Sequence, residues 1–187
     1  MQEHPLIELY VTVGNDQQNR QIEQLLSSVN LDAFVQRTLL QVGITQKVML
    51  TLLVTDEAGI RDMNKQYREQ DKPTDVLSFP LLEQPLVEAP EDQLWQPQED
   101  AEATPANTPP FVNPPGAILN LGDIVMSWPT LLQQARDAGH SGQYELFYLL
   151  CHGVLHLVGY DDHTEAGYQA MVGLQNRILQ ESGITKA

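Results

Sequence analysis

The stretch "CHGVLHLVGYDDH", Cys151 to His163, decides how this chain must fold. It closes a longer pattern, Gly142 to about Val158. There Leu146, Phe147, Leu149, Leu150, Val154, Leu155 and Leu157 surround a helix on nearly every side. A helix that is apolar almost all round has to be the central, buried one. Ser141 is placed to cap its start and Gly159 to stop it. Yet the same stretch holds three of the chain's five histidines, with His152 and His156 four residues apart. That spacing puts both imidazoles on one face, about one turn apart. Two buried imidazoles without partners would each carry an unsatisfied nitrogen, at a cost of roughly 1–3 kcal/mol. A shared metal ion removes that cost. The pair, with His163 just past the turn "GYDD", suits a three-ligand zinc site that keeps a position open for water. The expected cofactor is one Zn2+ per chain. Where the helical zinc-protease motif has a general-base Glu directly after its first His, this chain has Gly153. Either another group then manages the protons, or a metal-bound hydroxide attacks unaided.

Around that helix the remaining elements alternate between two periods. "IELYVTV" (Ile7 to Val13), "KVMLTLLV" (Lys47 to Val54), "DVLSF" ended by Pro80, and "AILNLGDIVMS" (Ala117 to Ser127) read as strands. Helical patterns run from about Gln18 to Gln41, with a break near "SSVNLD" where Asp32 is a candidate cap. Another helix runs from a cap at Thr55 or Asp56 to about Arg68, with Ile60, Met63 and Tyr67 on one face. Pro129 opens a helix that stops at Gly139, and Thr164 caps a last one ending before Gly183. Strands and helices are interspersed without strict alternation. The expected fold class is α+β: one domain over residues 1–187, with a small mixed sheet of about four strands packed on helices. Between Leu81 and Ala117 the composition turns acidic and Pro-rich, without a single Lys or Arg. Such a segment buries too little apolar surface to offset its ordering entropy. The expectation for 81–117 is a disordered insertion, with Trp95 and Phe111 making only stray contacts.

A net charge of −15, taken alone, argues against broad contact with nucleic acid or anionic membranes. Much of it sits in the insertion, so the folded body is less acidic. The lone Cys151 cannot form an intrachain disulfide and reads as a buried reduced thiol. No apolar run approaches the roughly 20 residues of a membrane helix, and Met1 to Pro5 is unlike a signal peptide. A cytoplasmic protein with no membrane partner is expected.

Three blocks carry a family resemblance. "HGVLHLVGYDDH" resembles the HGxLHLxGYDH signature of the YbeY family, bacterial single-strand-specific endoribonucleases of rRNA maturation. "NKQYREQDKPTDVLSFP" (Asn64 to Pro80) and "LGDIVMS" (Leu121 to Ser127) resemble its other two blocks. The likeness spans nearly the whole chain from the second strand onward, the insertion apart. It implies His152, His156 and His163 as metal ligands, and Arg68 as an active-site arginine able to pair its planar fork with a phosphate. It also implies cleavage of single-stranded RNA, with the 3′ end of small-subunit (16S) rRNA and the small ribosomal subunit as partners, and a part in ribosome quality control. Six residues separate the second and third histidines here, against five in the family signature, because Asp162 is additional. His163 is the expected third ligand, and Asp161 or Asp162 the alternative.

Arg61, Lys65 and Arg68 are spaced by four and three, and Lys72 extends the stripe. They are RNA-binding candidates, with a solvated face paired to Asp62, Glu69 and Asp71 as the plainer reading. Asp123 in "LGD" either orients a ligand histidine or turns a strand end, and Asp161 has the same two readings. Two other functions fit the histidine pair: a metal-dependent hydrolase of another bond, and a ribosome-assembly factor with a non-catalytic metal. Structural zinc sites close all four positions, usually with cysteines; Cys151 is the only cysteine here, and it points about 100° away from its neighbour His152 around the helix.

Overall fold

The apolar helix does lie at the centre. The structure, a computed structural model, describes residues 6–97 and 117–186. Four strands form one sheet in the order β1-β2-β4-β3: β1 Leu6–Thr12, β2 Val48–Thr55, β3 Val76–Pro80 and β4 Leu119–Ser127. β1, β2 and β4 run parallel and β3 is antiparallel to β4, so the sheet is mixed, as expected. The helices are α1 Asp16–Ser28, α2 Leu31–Gln41, α3 Glu57–Arg68, α4 Trp128–Ala138, α5 Gly142–Val158 and α6 Glu165–Glu181. The fold is α+β.

α5 packs against β3 and β4 on one side and α2, α4 and α6 on the others. Its Leu150, Val154, Leu155, Leu157 and Val158 are fully enclosed, each removing on the order of 1.5–3 kcal/mol of apolar hydration. Gly153 explains how the helix comes so close to the sheet. A Cβ there would stand 2.9 Å from the Cγ2 of Ile124, closer than two carbons tolerate. The glycine where a zinc protease has its base is therefore the point where α5 touches β4. Strand alternation turns Ile124 toward α5. The opposite face, with Leu77 and Val125, packs with Ile60 of α3.

The caps follow the sequence closely. Asp56 accepts from Gly59 N at 2.7 Å, and Ser141 and Thr164 cap α5 and α6. Asp32 is not the cap of α2. Asn30 Oδ1 accepts from Ala33 N, so the cap lies two residues earlier than expected; both residues stand at the start of the same apolar run, and only the backbone geometry separates them.

The larger difference lies in the 81–117 segment. Residues 81–97 are docked on the C-terminal end of α5. Leu86 N and Val87 N donate to Val158 O at 2.8 and 3.3 Å, and Trp95 N donates to Gly159 O at 2.9 Å. Leu94 bridges Tyr160, and Asp161 N donates to Gln93 O. Val87 is buried, and Leu82, Leu86, Ala89 and Leu94 pack on the core. The last four carbonyls of a helix have no partner within it; this strap supplies partners. Gly159, at φ +137°, ends the helix and lets Pro85 pass within 2.5 Å of where a Cβ would be. Averaged composition hid that these apolar residues cluster in the first half. The rest of the segment, with Phe111, lies outside the described residues.

Candidate metal centre and cleft

His152 and His156 leave the same face of α5, and their Nε2 atoms stand 3.0 Å apart. The other nitrogen of each ring is committed. His156 Nδ1 lies 2.9 Å from Tyr160 O, which can only accept. His152 Nδ1 lies 3.4 Å from Gln175 Oε1, while Gln175 Nε2 donates to Tyr148 O at 3.2 Å. Both Nδ1 atoms must therefore carry the proton, and in the neutral rings each Nε2 presents a lone pair. Burial, and next the His156 ring, holds the His152 imidazolium below its usual range, so the neutral form prevails near pH 7.

Two lone pairs facing each other at 3.0 Å repel unless a cation lies between them. Asp162 completes the set: its Oδ2 is 3.6 Å from His152 Nε2 and its Oδ1 3.7 Å from His156 Nε2. A protonated His156 ring beside it would hold this carboxyl down to about 2, against the opposing effect of burial; with both rings neutral, a cation among the three groups has to supply that positive charge. His152, His156 and Asp162 bring their donor atoms within 4.8 Å of one another. Two imidazoles and a carboxylate are a donor set that zinc accepts, so the residues fit a metal ion.

His163 is not brought to this group. Its Nδ1 pairs with Asp161 Oδ2, and its side chain is 66% exposed. The residue added to the turn accounts for the exchange: Asp162 takes the inward place and His163 is carried past it. Asp161 orders the turn, its Oδ1 accepting from Asp162 N at 2.8 Å, and orients no ligand histidine. Asp123 does not either. It is exposed on β4, one residue from Ile124, hence on the face turned away from α5. Gln175 and the Tyr160 carbonyl hold the rings instead.

A cleft of about 360 Å3 opens on the centre, lined by Arg68, Ser78, Trp95, His156, Asp161 and Asp162 among others. Arg68 stands in the last turn of α3, and its Nη2 donates to Ser78 O at 3.1 Å on the edge strand β3. Of the four basic residues in the stripe, Arg68 alone lines the cleft. Arg61 Nε pairs with Asp71 at 2.8 Å, the solvated ion pair of the plainer reading. Lys65 and Lys72 are exposed, and the main chain of Lys72 accepts from the buried Asn64 side chain.

Gln175 and Trp95 also contact the two histidines, at His152 Nδ1 and His156 O. Gln175 had a signal: it interrupts the apolar stripe of Met171 and Ile178 on α6, and it is 1% exposed. Trp95 had none, because its partner is a main-chain carbonyl of another element. Among the described residues no helix is long and apolar enough to cross a membrane.

Comparison with known proteins agrees with the blocks read from the sequence. The family model "Endoribonuclease YbeY" matches residues 12–183. The Endoribonuclease YbeY of Moorella thermoacetica is 36% identical over 176 residues, covering 94% of this chain and 98% of that one. That of Roseiflexus sp. is 35% identical over 162 residues, covering 86% and 87%. Among solved structures, the solution structure of TM1509 from Thermotoga maritima aligns at 22% identity with a TM-score of 0.47, over 94% of this chain and 91% of that one. A match across nearly the full length, with the histidine block inside it, settles the family: this chain belongs to the endoribonuclease YbeY family.

Proposed function

We propose that this protein is a zinc-dependent endoribonuclease of single-stranded RNA, acting in the cytoplasm on the small ribosomal subunit in 16S rRNA 3′-end maturation and ribosome quality control. One observation carries the metal-dependent reading: two imidazole lone pairs 3.0 Å apart beside a carboxylate, at the wall of a cleft that Arg68 also lines. Relatives named as endoribonucleases support RNA as the substrate.

In this reading His152, His156 and Asp162 hold the ion. A bound zinc ion supplies Lewis acidity toward a phosphoryl oxygen and activates water near neutral pH. The chain supplies the rest. Tyr160 O and Gln175 Oε1 fix both rings in the tautomer that presents Nε2. Asp162 stays ionised at neutral pH. Arg68 is anchored through one Nη2 to Ser78 O and keeps further N–H donors for a phosphate oxygen, where its planar fork stabilises developing charge. Gly153 offers no base. A narrow cleft favours an unpaired strand, whose bases can splay, over a duplex that buries them.

The test offers zinc-loaded protein an unstructured RNA oligomer, a duplex RNA and casein, with metal content measured in parallel. The expected result is cleavage of the single strand alone, abolished by chelation and by His156→Ala. Cleavage of casein with the RNA intact would overturn the reading. Stoichiometric metal with no cleavage of either would favour the assembly-factor role.

A further inference from the structure

The strap at residues 81–97 caps α5 and also places Trp95 at the wall of the cleft. Trp95 is half-buried and is fixed at two points. Its backbone N–H donates to Gly159 O at 2.9 Å, and its Nε1 donates to His156 O at 2.7 Å. The second bond ties it to the same residue whose Nε2 faces His152. With Nε1 committed, the indole has no donor left for a ligand. What it adds to the cleft is π surface, opposite in character to the Arg68 guanidinium that also lines it. Pro80 and Leu82 supply further apolar lining, and Asp161 and Asp162 the acidic part. A ring held rigidly before the ligand arrives loses little entropy when a partner stacks on it. At about 360 Å3 the cleft lies at the small end of ligand pockets, room for one nucleotide and not for a base pair.

We propose that Trp95 is a substrate-binding residue on which one unpaired nucleobase stacks while its phosphate meets Arg68 and the metal centre. The proposal rests on the RNA reading of the site and deepens it: the strap, and not the basic stripe, provides the single-strand selectivity. Stacking is tolerant of base identity because every base has a π face. The device should therefore select unpaired nucleotides with only modest sequence preference.

The experiment is a cycle between the ring and the base. Wild type, Trp95→Leu and Trp95→Phe are each given a short single-stranded RNA and the same RNA with one abasic nucleotide walked along it. In the wild type, one abasic position should raise KM about 5- to 150-fold, the range for losing one stacked base, with kcat nearly unchanged. In Trp95→Leu that position should carry no further penalty, while Trp95→Phe keeps most of it. Zinc content should be equal in all three. Should Trp95→Leu fail to fold, Trp128→Phe leaves Trp95 as the sole tryptophan, whose fluorescence should be quenched by the intact RNA and not by the abasic one. An abasic penalty undiminished in Trp95→Leu, or no quenching, would overturn the proposal and reduce Trp95 to a helix cap. Wild type that cleaves no RNA would sink the nuclease reading, and this inference with it. RNA cleavage without coupling between ring and base would sink this inference alone.

Discussion

The two ends of α5 carry the same chemistry in opposite states. At the N-terminal end, His140 Nε2 meets Glu145 Oε2 at 2.5 Å, with the side chains 13% and 8% exposed. That pair is closed: one imidazole, one carboxylate, each satisfying the other. At the C-terminal end, His152 and His156 turn their Nε2 atoms toward each other, with Asp162 at 3.6 and 3.7 Å. Both Nδ1 protons are already used. A histidine bonded directly to a carboxylate is finished as a structural element, and one whose acceptor nitrogen faces another acceptor is not. The difference shows why counting histidines and acids does not locate a group that could hold a metal ion, whereas following each ring's second nitrogen does.

The sharpest way to break the comparison is to remove one open ring. His156→Ala should lose the metal and reduce RNA cleavage to background, checked by elemental analysis and single-turnover kinetics. Adding zinc should raise the melting temperature of the wild type and not of the variant, since an ion bound only to the native state stabilises it by mass action. Next comes Arg68→Ala, which should keep fold and zinc and lose about 10²-fold in cleavage rate. Arg68→Lys should restore little, because a point charge cannot replace the fork.

Opening the closed pair should give the opposite signature. His140→Ala leaves a buried carboxylate without its partner and should cost about 2 kcal/mol of stability by denaturant titration, with zinc content and rate unchanged. A loss of metal in that variant would mean the two ends are coupled through α5. The turn offers a finer test. Asp162→Asn should weaken zinc affinity at least about tenfold, and His163→Ala should leave it nearly unaltered. The reverse order would restore His163 as third ligand. The smallest effect is a silence. Burial pushes the Cys151 thiol up to about 12, so it stays protonated at pH 8, and iodoacetamide should label it only after unfolding.

Some of this was legible from periodicity alone. The apolar girdle from Leu146 to Leu157 put α5 at the centre, and four β-branched runs made the sheet. Capping residues such as Asp56, Ser141 and Thr164 lay where their helices begin. The i,i+4 spacing of His152 and His156 put two imidazoles on one helical face. These are local properties: the covalent spacing of a regular element dictates which residues share a side. Partners between elements were not local. Asp162 displaced His163 because one added residue changes which side chain a turn brings back to the helix, and no periodicity governs a turn. Asp123 fell on the far face of β4 because strand alternation, anchored by Ile124 against Gly153, left it no choice. Gln175 found His152 only when α6 packed on α5. The strap that composition marked as disordered, from Leu81 to Pro97, is ordered by carbonyls at the end of another helix. Sequence alone determined the buried helix, the sheet and the facing imidazoles, because each follows from spacing along one element. Tertiary structure alone decided the third donor, the groups that hold the rings and the tryptophan in the cleft, because a hydrogen bond or a ligand set is completed by whichever group packing delivers to it.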